Sequence, residues 1–254
     1  GERGAGVLCV IPARLAAVRF PGKLLKTLQG VSVLERTWRR TKEAHACARL
    51  VVATDHASIK AHVEGFGGEA FMTRSCWRSG TERVYEAAAI LQRLDPNGSN
   101  FSLVINVQGD EPLLDPTHID TLATFAQKAR RPMATLAVPV SYQEAASPST
   151  VKVVLNAFGD ASYFSRALIP ASKPNTPPLD TYLRHIGMYA FSMEFLEAMV
   201  ALPDSPPQRA EDLEQLRALS ADFKIAVGLV TSASPDVNTP EDLTTLEDFL
   251  SSEK

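Results

Sequence analysis

Short β-rich apolar runs alternate with amphipathic helical patterns through the first half of the chain, and this alternation restricts the possible folds strongly. The predicted strands of this half are residues 7–12, 50–54, 69–73 and 101–107. Apolar residues at helical spacing separate them, which indicates parallel strands joined by right-handed helical crossovers. We therefore predict an α/β fold with a doubly wound, mostly parallel sheet.

Helix-start signals agree with this pattern. Ser32-x-x-Glu35 and Ser79-x-x-Glu82 resemble capping boxes, Asp55 is a candidate N-cap, and Asp115-Pro116 is typical of a first helical turn.

The second half is less regular. Its predicted strands are residues 133–140, 151–155, 161–164, 182–191 and 224–230, and its predicted helices are residues 193–201, 210–220 and 239–250. A proline-rich loop at 170–178 favours an inserted lobe over a linker between domains. We predict a single domain over residues 1–254, with halves at 7–130 and 131–254.

Composition excludes several classes of function. The 254 residues carry 26 Lys+Arg against 29 Asp+Glu, so there is no basic excess for nucleic acid. No apolar run reaches the length of a membrane span. We expect a soluble, cytoplasmic protein, from which an N-terminal targeting or anchor segment could have been removed. Cys9, Cys47 and Cys76 are predicted to be free thiols, and Cys76 and Trp77 to be packing residues.

The loop after the first strand, residues 13–23, contains Arg14, Arg19 and Lys23 around Pro21-Gly22. Ligands of such sheets bind beyond the carboxyl ends of the strands, where the winding direction reverses. Three cations there can converge on a polyphosphate. A solvated basic loop is the alternative reading.

The loop after the fourth strand carries adjacent carboxylates, Asp110 and Glu111. Mg²⁺ is commonly held by one or two carboxylates together with substrate phosphates, and Asp110 is the preferred candidate. The alternative is a turn aspartate that caps local amides.

Ten segments together resemble the 3-deoxy-manno-octulosonate (KDO) cytidylyltransferases, also called CMP-KDO synthetases. They are IPAR (11–14), RFPGK (19–23), VVATD (51–55), SGTER (79–83), NVQGDEP (106–112), VKVV (151–154), FSRALIP (164–170), LRHIGMYAF (183–191), LEQLR (213–217) and TPEDL (239–243). The resemblance covers residues 7–249.

The resemblance implies a nucleotidyltransferase-type fold with an inserted dimerisation and sugar-binding lobe. It also implies a homodimer that uses Mg²⁺ to join CTP and KDO into CMP-KDO and pyrophosphate. Arg14, Lys23 and Asp110 are then the catalytic candidates. The nucleotide-binding candidates are Arg14, Arg19, Lys23, Ser79, Gly80, Thr81 and Gln108.

The sugar-binding candidates implied by the same resemblance are Gln108, Arg166, Arg184, His185, Tyr189, Glu214 and Gln215. Structural roles remain open for several of them. A lone histidine in a strand is often a satisfied core residue, as is a tyrosine, and Glu214 and Gln215 lie in a helical pattern that favours a solvated face.

One position departs from the family pattern. Where the family has a metal-ligating aspartate before TPEDL, this chain has Asn238, with Asp236 two residues earlier. The second metal ligand is therefore Asn238 or Asp236. Two other functions stay open, a catalytically silent nucleotide-sugar-binding regulator and a nucleotide-sugar-dependent glycosyltransferase.

Overall fold

A computed structural model describes residues 6–16, 20–77, 79–94 and 101–252. Its strands are β1 (Gly6–Ala13), β2 (Thr27–Leu28), β3 (Val31–Ser32), β4 (Cys47–Thr54), β5 (Ala70–Met72), β6 (Phe101–Asn106), β7 (Met133–Ser141), β8 (Lys152–Leu155), β9 (Ala161–Ser165), β10 (Thr181–Phe191) and β11 (Ile225–Leu229). Its α-helices are α1 (Val33–Lys42), α2 (Ala57–Gly65), α3 (Gly80–Leu94), α4 (Pro116–Ala129), α5 (Tyr142–Ala145), α6 (Met193–Ala201), α7 (Pro206–Glu211), α8 (Leu216–Ser220) and α9 (Pro240–Ser252). Every predicted strand is confirmed, with ends that differ by three residues or fewer.

The chain forms two compact units. Unit 1 comprises Gly1–Asp120 and Ser234–Lys254, and unit 2 comprises Thr121–Ala233, so unit 2 is an insertion in the sequence of unit 1. This division by contacts does not show whether the units fold independently. The predicted single domain, with halves at 7–130 and 131–254, therefore stays a prediction. None of the helices in the described ranges is long and apolar enough to span a membrane.

The sheet of unit 1 is wholly parallel and has the strand order β6-β1-β4-β5. The chain runs from β1 outward through β4 to β5, and then returns to the other side of β1 as β6. The winding direction therefore reverses at β1, which is where the sequence places a ligand site. The β1 side chains Leu8 to Ile11 are fully buried, because this strand has neighbours on both sides.

Local signals explain how the helices of unit 1 begin. Ser32 Oγ accepts from the Glu35 backbone N–H at 3.0 Å. Ser79 and Glu82 form the full reciprocal pair, with Ser79 N–H to Glu82 Oε2 at 3.0 Å and Glu82 N–H to Ser79 Oγ at 3.3 Å. The predicted Asp55 cap is wrong by one residue, because the His56 ring caps α2 through the Ser58 N–H.

Unit 2 has mixed strand pairing. Strand β7 pairs parallel with β11 and antiparallel with β10, and β8 pairs antiparallel with β10 and β9. The helix predicted over 210–220 is wrong, because α7 ends at Glu211, its C-cap Asp212 has a φ of +52°, and α8 begins only at Leu216. Glu214 and Gln215 consequently lie in a turn between two short helices.

Candidate active site

A lysine–aspartate pair lies where the unit 1 sheet reverses its winding. Lys23 follows β1 and Asp110 follows β6. Lys23 Nζ donates to Asp110 Oδ2 at 2.5 Å and to the Val237 carbonyl oxygen at 2.9 Å. The two side chains are 17% and 19% exposed, so the ion pair is partly screened from water. The structure therefore brings together two of the three predicted catalytic side chains.

Glycines shape both loops around this pair. Gly22 has a φ of +68° at the start of the short 3₁₀ turn that carries Lys23, a conformation that favours glycine. A Cβ at Gly109 would lie 3.2 Å from Ile11 Cγ2, so a side chain there would press against β1. Thr37 on α1 donates to the Gly109 carbonyl oxygen at 3.0 Å and fixes the loop that presents Asp110.

The loop before α9 packs onto Asp110 through its backbone. The Val237 N–H donates to the Asp110 carbonyl oxygen at 2.8 Å. Beside it, Asn238 Nδ2 donates to Asp236 Oδ2 at 2.5 Å, and the Asn238 N–H donates to Asp242 Oδ2 at 2.9 Å. The carboxylate of Asp236 is thus held by the amide of Asn238, so the two alternative metal ligands are in direct contact.

The oxygen atoms around Asp110 are suitable ligands for Mg²⁺, and less so for a metal ion that needs all of its ligands from the protein. Within the described ranges, no group of three or more His, Cys, Asp or Glu side chains has a metal-holding arrangement. Mg²⁺ does not require one, because it keeps waters and takes substrate phosphate oxygens. One carboxylate, Asp110, with oxygens of the 236–238 loop nearby, is the kind of partial ligand set that such a cation uses.

A cleft of about 800 Å³ lies at the carboxyl ends of β1, β4 and β5. Its described lining residues are Arg14, Leu15, Ala16, Pro21, Gly22, Asp55, His56, Ser75, Trp77 and Arg83. The predicted phosphate loop therefore forms one wall. The loop after β5 forms another, and there the packing role predicted for Trp77 and Cys76 is wrong, since Trp77 lines the cleft and Cys76 is exposed.

An arginine that the sequence reading left without a role fixes the floor of this cleft. The Arg83 side chain is 1% exposed, and its guanidinium donates to Asp55 Oδ2 at 2.6 Å and to Thr73 Oγ1 at 2.9 Å. Desolvation strengthens this ion pair and locks the Asp55 carboxylate at the end of β4. The signal was present in the SGTER motif, whose last residue is Arg83.

The remaining nucleotide candidates lie around the first turn of α3 and the end of β6. Ser79 caps α3, and a Cβ at Gly80 would lie 3.2 Å from Pro12 Cγ, so glycine permits close packing against β1. Thr81 is buried, and Gln108 is half-buried two residues after the end of β6. Arg19 lies outside the described residues.

His185 is the centre of a polar site within unit 2. Its Nε2 lies 2.9 Å from Thr135 Oγ1, which is also 2.7 Å from the Met188 carbonyl oxygen and 3.1 Å from that of Ile186. The threonine hydroxyl has one proton, and the shortest contact directs it to Met188. The hydroxyl therefore accepts from Nε2–H, which leaves His185 Nδ1 as the acceptor of the ring. Burial lowers the pKa of His185 to about 3, so the ring is neutral at pH 7.

Tyr189 and Glu214 accompany this histidine. The Tyr189 ring centroid lies 5.4 Å from that of His185. Burial and the negative charge of Glu214 raise the pKa of the Tyr189 hydroxyl far above its usual range, so it remains a donor. Gln215 is 3% exposed, and its Nε2 has no hydrogen-bond partner within the described structure. A buried amide donor without a partner is costly, which points to a ligand that satisfies it.

The two predicted sugar-site arginines have different surroundings. Arg166 Nε donates to the Glu211 carbonyl oxygen at 2.7 Å, and within the described residues its terminal nitrogens make only long contacts of 3.4 and 3.5 Å, to the Asp212 and Pro148 carbonyls. Arg184 forms an ion pair with Glu144 at 3.0 Å. Arg166 is thus anchored at one nitrogen and offers a fork, whereas Arg184 already has a carboxylate partner.

A fully buried lysine, Lys152, supports the Arg166 segment. Its Nζ donates to the carbonyl oxygens of Arg166, Thr150 and Ser147 at 2.7, 2.6 and 3.1 Å. Glu211 adds to this by accepting from the Arg166 N–H at 2.9 Å. Sequence reasoning missed both residues, because a lysine in a strand and a glutamate in a short helix are normally solvated.

Comparisons with known proteins identify the family. Residues 8–225 match the sequence profile of a family described as cytidylyltransferase. A 3-deoxy-manno-octulosonate cytidylyltransferase from Myxococcus xanthus is 44% identical over 94% of this chain and 94% of its own length. The chain belongs to the 3-deoxy-manno-octulosonate cytidylyltransferase family. A second member of this family, from Syntrophotalea carbinolica, is 42% identical over 96% of this chain and 98% of its own.

A solved structure extends the comparison to the fold. It is described as CMP:2-keto-3-deoxy-manno-octonic acid synthetase complexed with CTP, and it has a TM-score of 0.89 and 37% identity over 98% of this chain and 100% of its own. This likeness confirms the predicted α/β fold class of nucleotidyltransferase type. Family membership also makes the protein a nucleotidyltransferase enzyme.

Proposed function

We propose that the protein transfers CMP from CTP to the anomeric C2 hydroxyl of KDO, giving CMP-KDO and pyrophosphate, with Mg²⁺ as the metal ion. The observation that carries the proposal is the Lys23–Asp110 pair at the switch point, because it sets a cation donor and a carboxylate together beside an open cleft. The names of the curated relatives and the CTP held by the similar solved structure support the choice of substrates.

The phosphates of CTP are assigned to the loop that follows β1. Arg14 lines the cleft, Lys23 directly follows the lining residues Pro21 and Gly22, and Arg19 belongs to the same loop in the sequence. Ser79, Gly80, Thr81 and Gln108 complete the proposed nucleotide set. Charged donors suit this role because their hydrogen bonds to phosphate are charge-assisted. These strong bonds offset the loss of hydration of the triphosphate.

Asp110 would hold Mg²⁺, with Asn238 or Asp236 as the second protein ligand. When bound, the ion neutralises charge on the phosphate oxygens and favours ionisation of the attacking hydroxyl. In the structure Lys23 Nζ is paired with Asp110 Oδ2. When a nucleotide binds, the ammonium can move from this carboxylate to a phosphate oxygen. The lysine thereby keeps the carboxylate neutralised when no nucleotide is bound.

The sugar acid is assigned to the polar site of unit 2. Its hydroxyls can donate to His185 Nδ1 and accept from the Tyr189 hydroxyl and Gln215 Nε2, with Glu214 as a further acceptor. The Arg166 fork matches the two oxygens of the KDO carboxylate. Gln108 and Arg184 are the remaining proposed contacts.

The proposed reaction depends mainly on the positioning of the two substrates. The KDO C2 oxygen forms a bond to the α-phosphorus while the bond from that phosphorus to the bridging oxygen of pyrophosphate breaks. The hydroxyl gives up its proton to solvent water, and the electron pair of the broken bond stays with pyrophosphate. Alignment of the two substrates and neutralisation of phosphate charge account for most of the catalysis in such transfers.

The resemblance to the family also supports a homodimer, a single-domain organisation and a cytoplasmic location, each of which we include in the proposal. Unit 2, which carries the proposed sugar-acid residues other than Gln108, is then also the dimerisation lobe. Light scattering of the purified protein tests the dimer directly, and a monomeric mass at micromolar concentration would contradict it.

Pyrophosphate release tests the proposed function. CTP, UTP and ATP are each offered with KDO or with N-acetylneuraminate, a second keto sugar acid, and with no acceptor. We expect rapid release only with CTP and KDO. Binding of CTP without release would identify a silent regulator instead. Release of a free nucleotide from a nucleotide sugar, with no pyrophosphate, would identify a glycosyltransferase.

A further inference from the structure

Trp77 differs from the other tryptophan of the chain in its surroundings. Trp38 is 9% exposed and packs against Phe66, with ring centroids 5.2 Å apart. Trp77 is half-buried in the loop after β5, and it lines the cleft that begins at the phosphate loop. Among the lining residues that the structure describes, it has the largest aromatic ring. A large apolar ring facing a cleft is costly unless a ligand covers it.

The indole of Trp77 is held in place by polar groups outside the cleft lining. Its Nε1 donates to Glu86 Oε2 on α3. The Arg74 guanidinium carbon lies 5.1 Å from the ring centroid, and Arg74 is itself bound to Glu86 through its N–H at 2.9 Å. Glu86 is 14% exposed, so these bonds are partly protected from water. The ring is therefore oriented before any ligand arrives, which lowers the entropy cost of binding.

The sheet order places Trp77 at the nucleoside end of the cleft. The phosphate loop follows β1, Asp55 follows β4, and Trp77 follows β5, which is two strand spacings or about 10 Å from β1. A nucleotide whose phosphates lie on the β1 loop must extend its base away from Lys23 and Asp110. Along the cleft, that direction leads across Asp55 towards Trp77.

We propose that Trp77 is a nucleotide-positioning residue whose indole stacks on the cytosine base of CTP. The proposal rests on the proposed function and adds a specific contact for the base, the part of the substrate that the cations of the phosphate loop do not recognise. Stacking on an aromatic ring is suited to this role because every base has a π face. Polar groups elsewhere in the cleft then distinguish cytosine from other bases.

Trp77→Ala, Trp77→Phe and a matched Trp38→Phe control test the proposal. Isothermal titration measures binding of CTP and of inorganic tripolyphosphate, which has the phosphates but no base. We expect Trp77→Ala to weaken CTP about tenfold and to leave tripolyphosphate within twofold, whereas Trp77→Phe retains most of the CTP affinity. The KM for CTP should rise and the KM for KDO should not.

Fluorescence gives a readout that does not depend on a truncated side chain. In the Trp38→Phe protein Trp77 is the only tryptophan, so CTP should quench its emission and tripolyphosphate should not. Three results would each overturn the stacking proposal. They are an unchanged CTP affinity in Trp77→Ala, an equal loss of affinity for tripolyphosphate in that variant, and Trp77 emission that does not change when CTP is added. Absence of pyrophosphate release by the unmodified protein with CTP and KDO would instead overturn the proposed function.

Discussion

At the residue scale, the site depends on a few charged groups whose partners change when ligand binds. Lys23 and Asp110 neutralise each other across 2.5 Å, in a position where neither is fully hydrated. Removing one partner leaves the other charge partly buried, which is unfavourable. The pair therefore supplies both charged groups of the proposed site, a cation that binds phosphate and a carboxylate that binds the metal ion.

Asp110→Asn tests whether the Asp110 carboxylate binds the metal ion. The amide keeps the size of the side chain and can still accept from Lys23, but it contributes no charge towards Mg²⁺. We expect pyrophosphate release to fall at least a hundredfold while circular dichroism shows a retained fold, with a lower melting temperature because the Lys23 charge loses its charged partner. Asp236→Asn is the comparison variant in the neighbouring loop. A normal rate with unchanged Mg²⁺ dependence in Asp110→Asn would remove this residue from the metal site.

Asn238→Asp tests the departure from the family pattern. The substitution replaces the 2.5 Å hydrogen bond to Asp236 with two adjacent carboxylates, which repel each other unless a cation lies between them. We expect a lower melting temperature in EDTA, a larger stabilisation by Mg²⁺ than in the unmodified protein, and half-maximal activity at lower Mg²⁺. If the melting temperature responds to Mg²⁺ as before in both Asn238→Asp and Asp236→Asn, this loop does not bind the metal.

His185 predicts a pH dependence of stability. The folded ring has a pKa of about 3, whereas an unfolded histidine titrates near about 6.5. Between these values the unfolded chain binds a proton that the folded chain does not, so stability falls as the pH falls, by up to about 1.4 kcal/mol per pH unit. His185→Gln keeps a donor for Thr135 and has no titrating ring. Urea denaturation from pH 7 to 4.5 should show a shallower loss for this variant, and equal slopes would contradict the buried neutral histidine.

At the scale of elements, strand β10 shows what a sequence pattern can and cannot specify. Its alternation predicted the strand and placed His185 and Arg184 on opposite faces. The register shift between Ile186 and Tyr189 was not predictable, because it depends on Thr135 of the partner strand β7. Likewise the break at Asp212 between α7 and α8 depends on a left-handed residue inside a continuous helical pattern.

Thr135→Val tests whether this threonine supports the irregular part of β10. The substitution nearly conserves volume but removes the hydroxyl that contacts the Met188 and Ile186 carbonyls and His185. We expect a loss of about 2–3 kcal/mol in the free energy of unfolding, because buried polar groups lose their partner. Thr135→Ser keeps the hydroxyl and should cost only about 1 kcal/mol. Equal losses would show that packing, not hydrogen bonding, matters there.

At the scale of the whole molecule, strand order rather than sequence proximity assembles the nucleotide site. Lys23, Asp110 and Val237 are far apart in the chain and meet because β1 and β6 are neighbours and the loop before α9 contacts Asp110. The alternating pattern and the switch-point rule were sufficient to predict that the loop carrying Asp110 would face the basic loop after β1, but not that Lys23 would be its partner. The roles of Trp77, Lys152 and Glu211 needed the three-dimensional structure, since each depends on partners that no local pattern identifies.

In the proposed reaction, CTP and KDO are joined by attack of the sugar oxygen on the α-phosphorus. The most direct test is ³¹P NMR of a reaction containing CTP, Mg²⁺ and KDO labelled with ¹⁸O at the C2 hydroxyl. We expect equimolar pyrophosphate and a CMP ester whose phosphorus signal carries the isotope shift of a bridging ¹⁸O. An unchanged CTP spectrum, or an ester without the label, would contradict it.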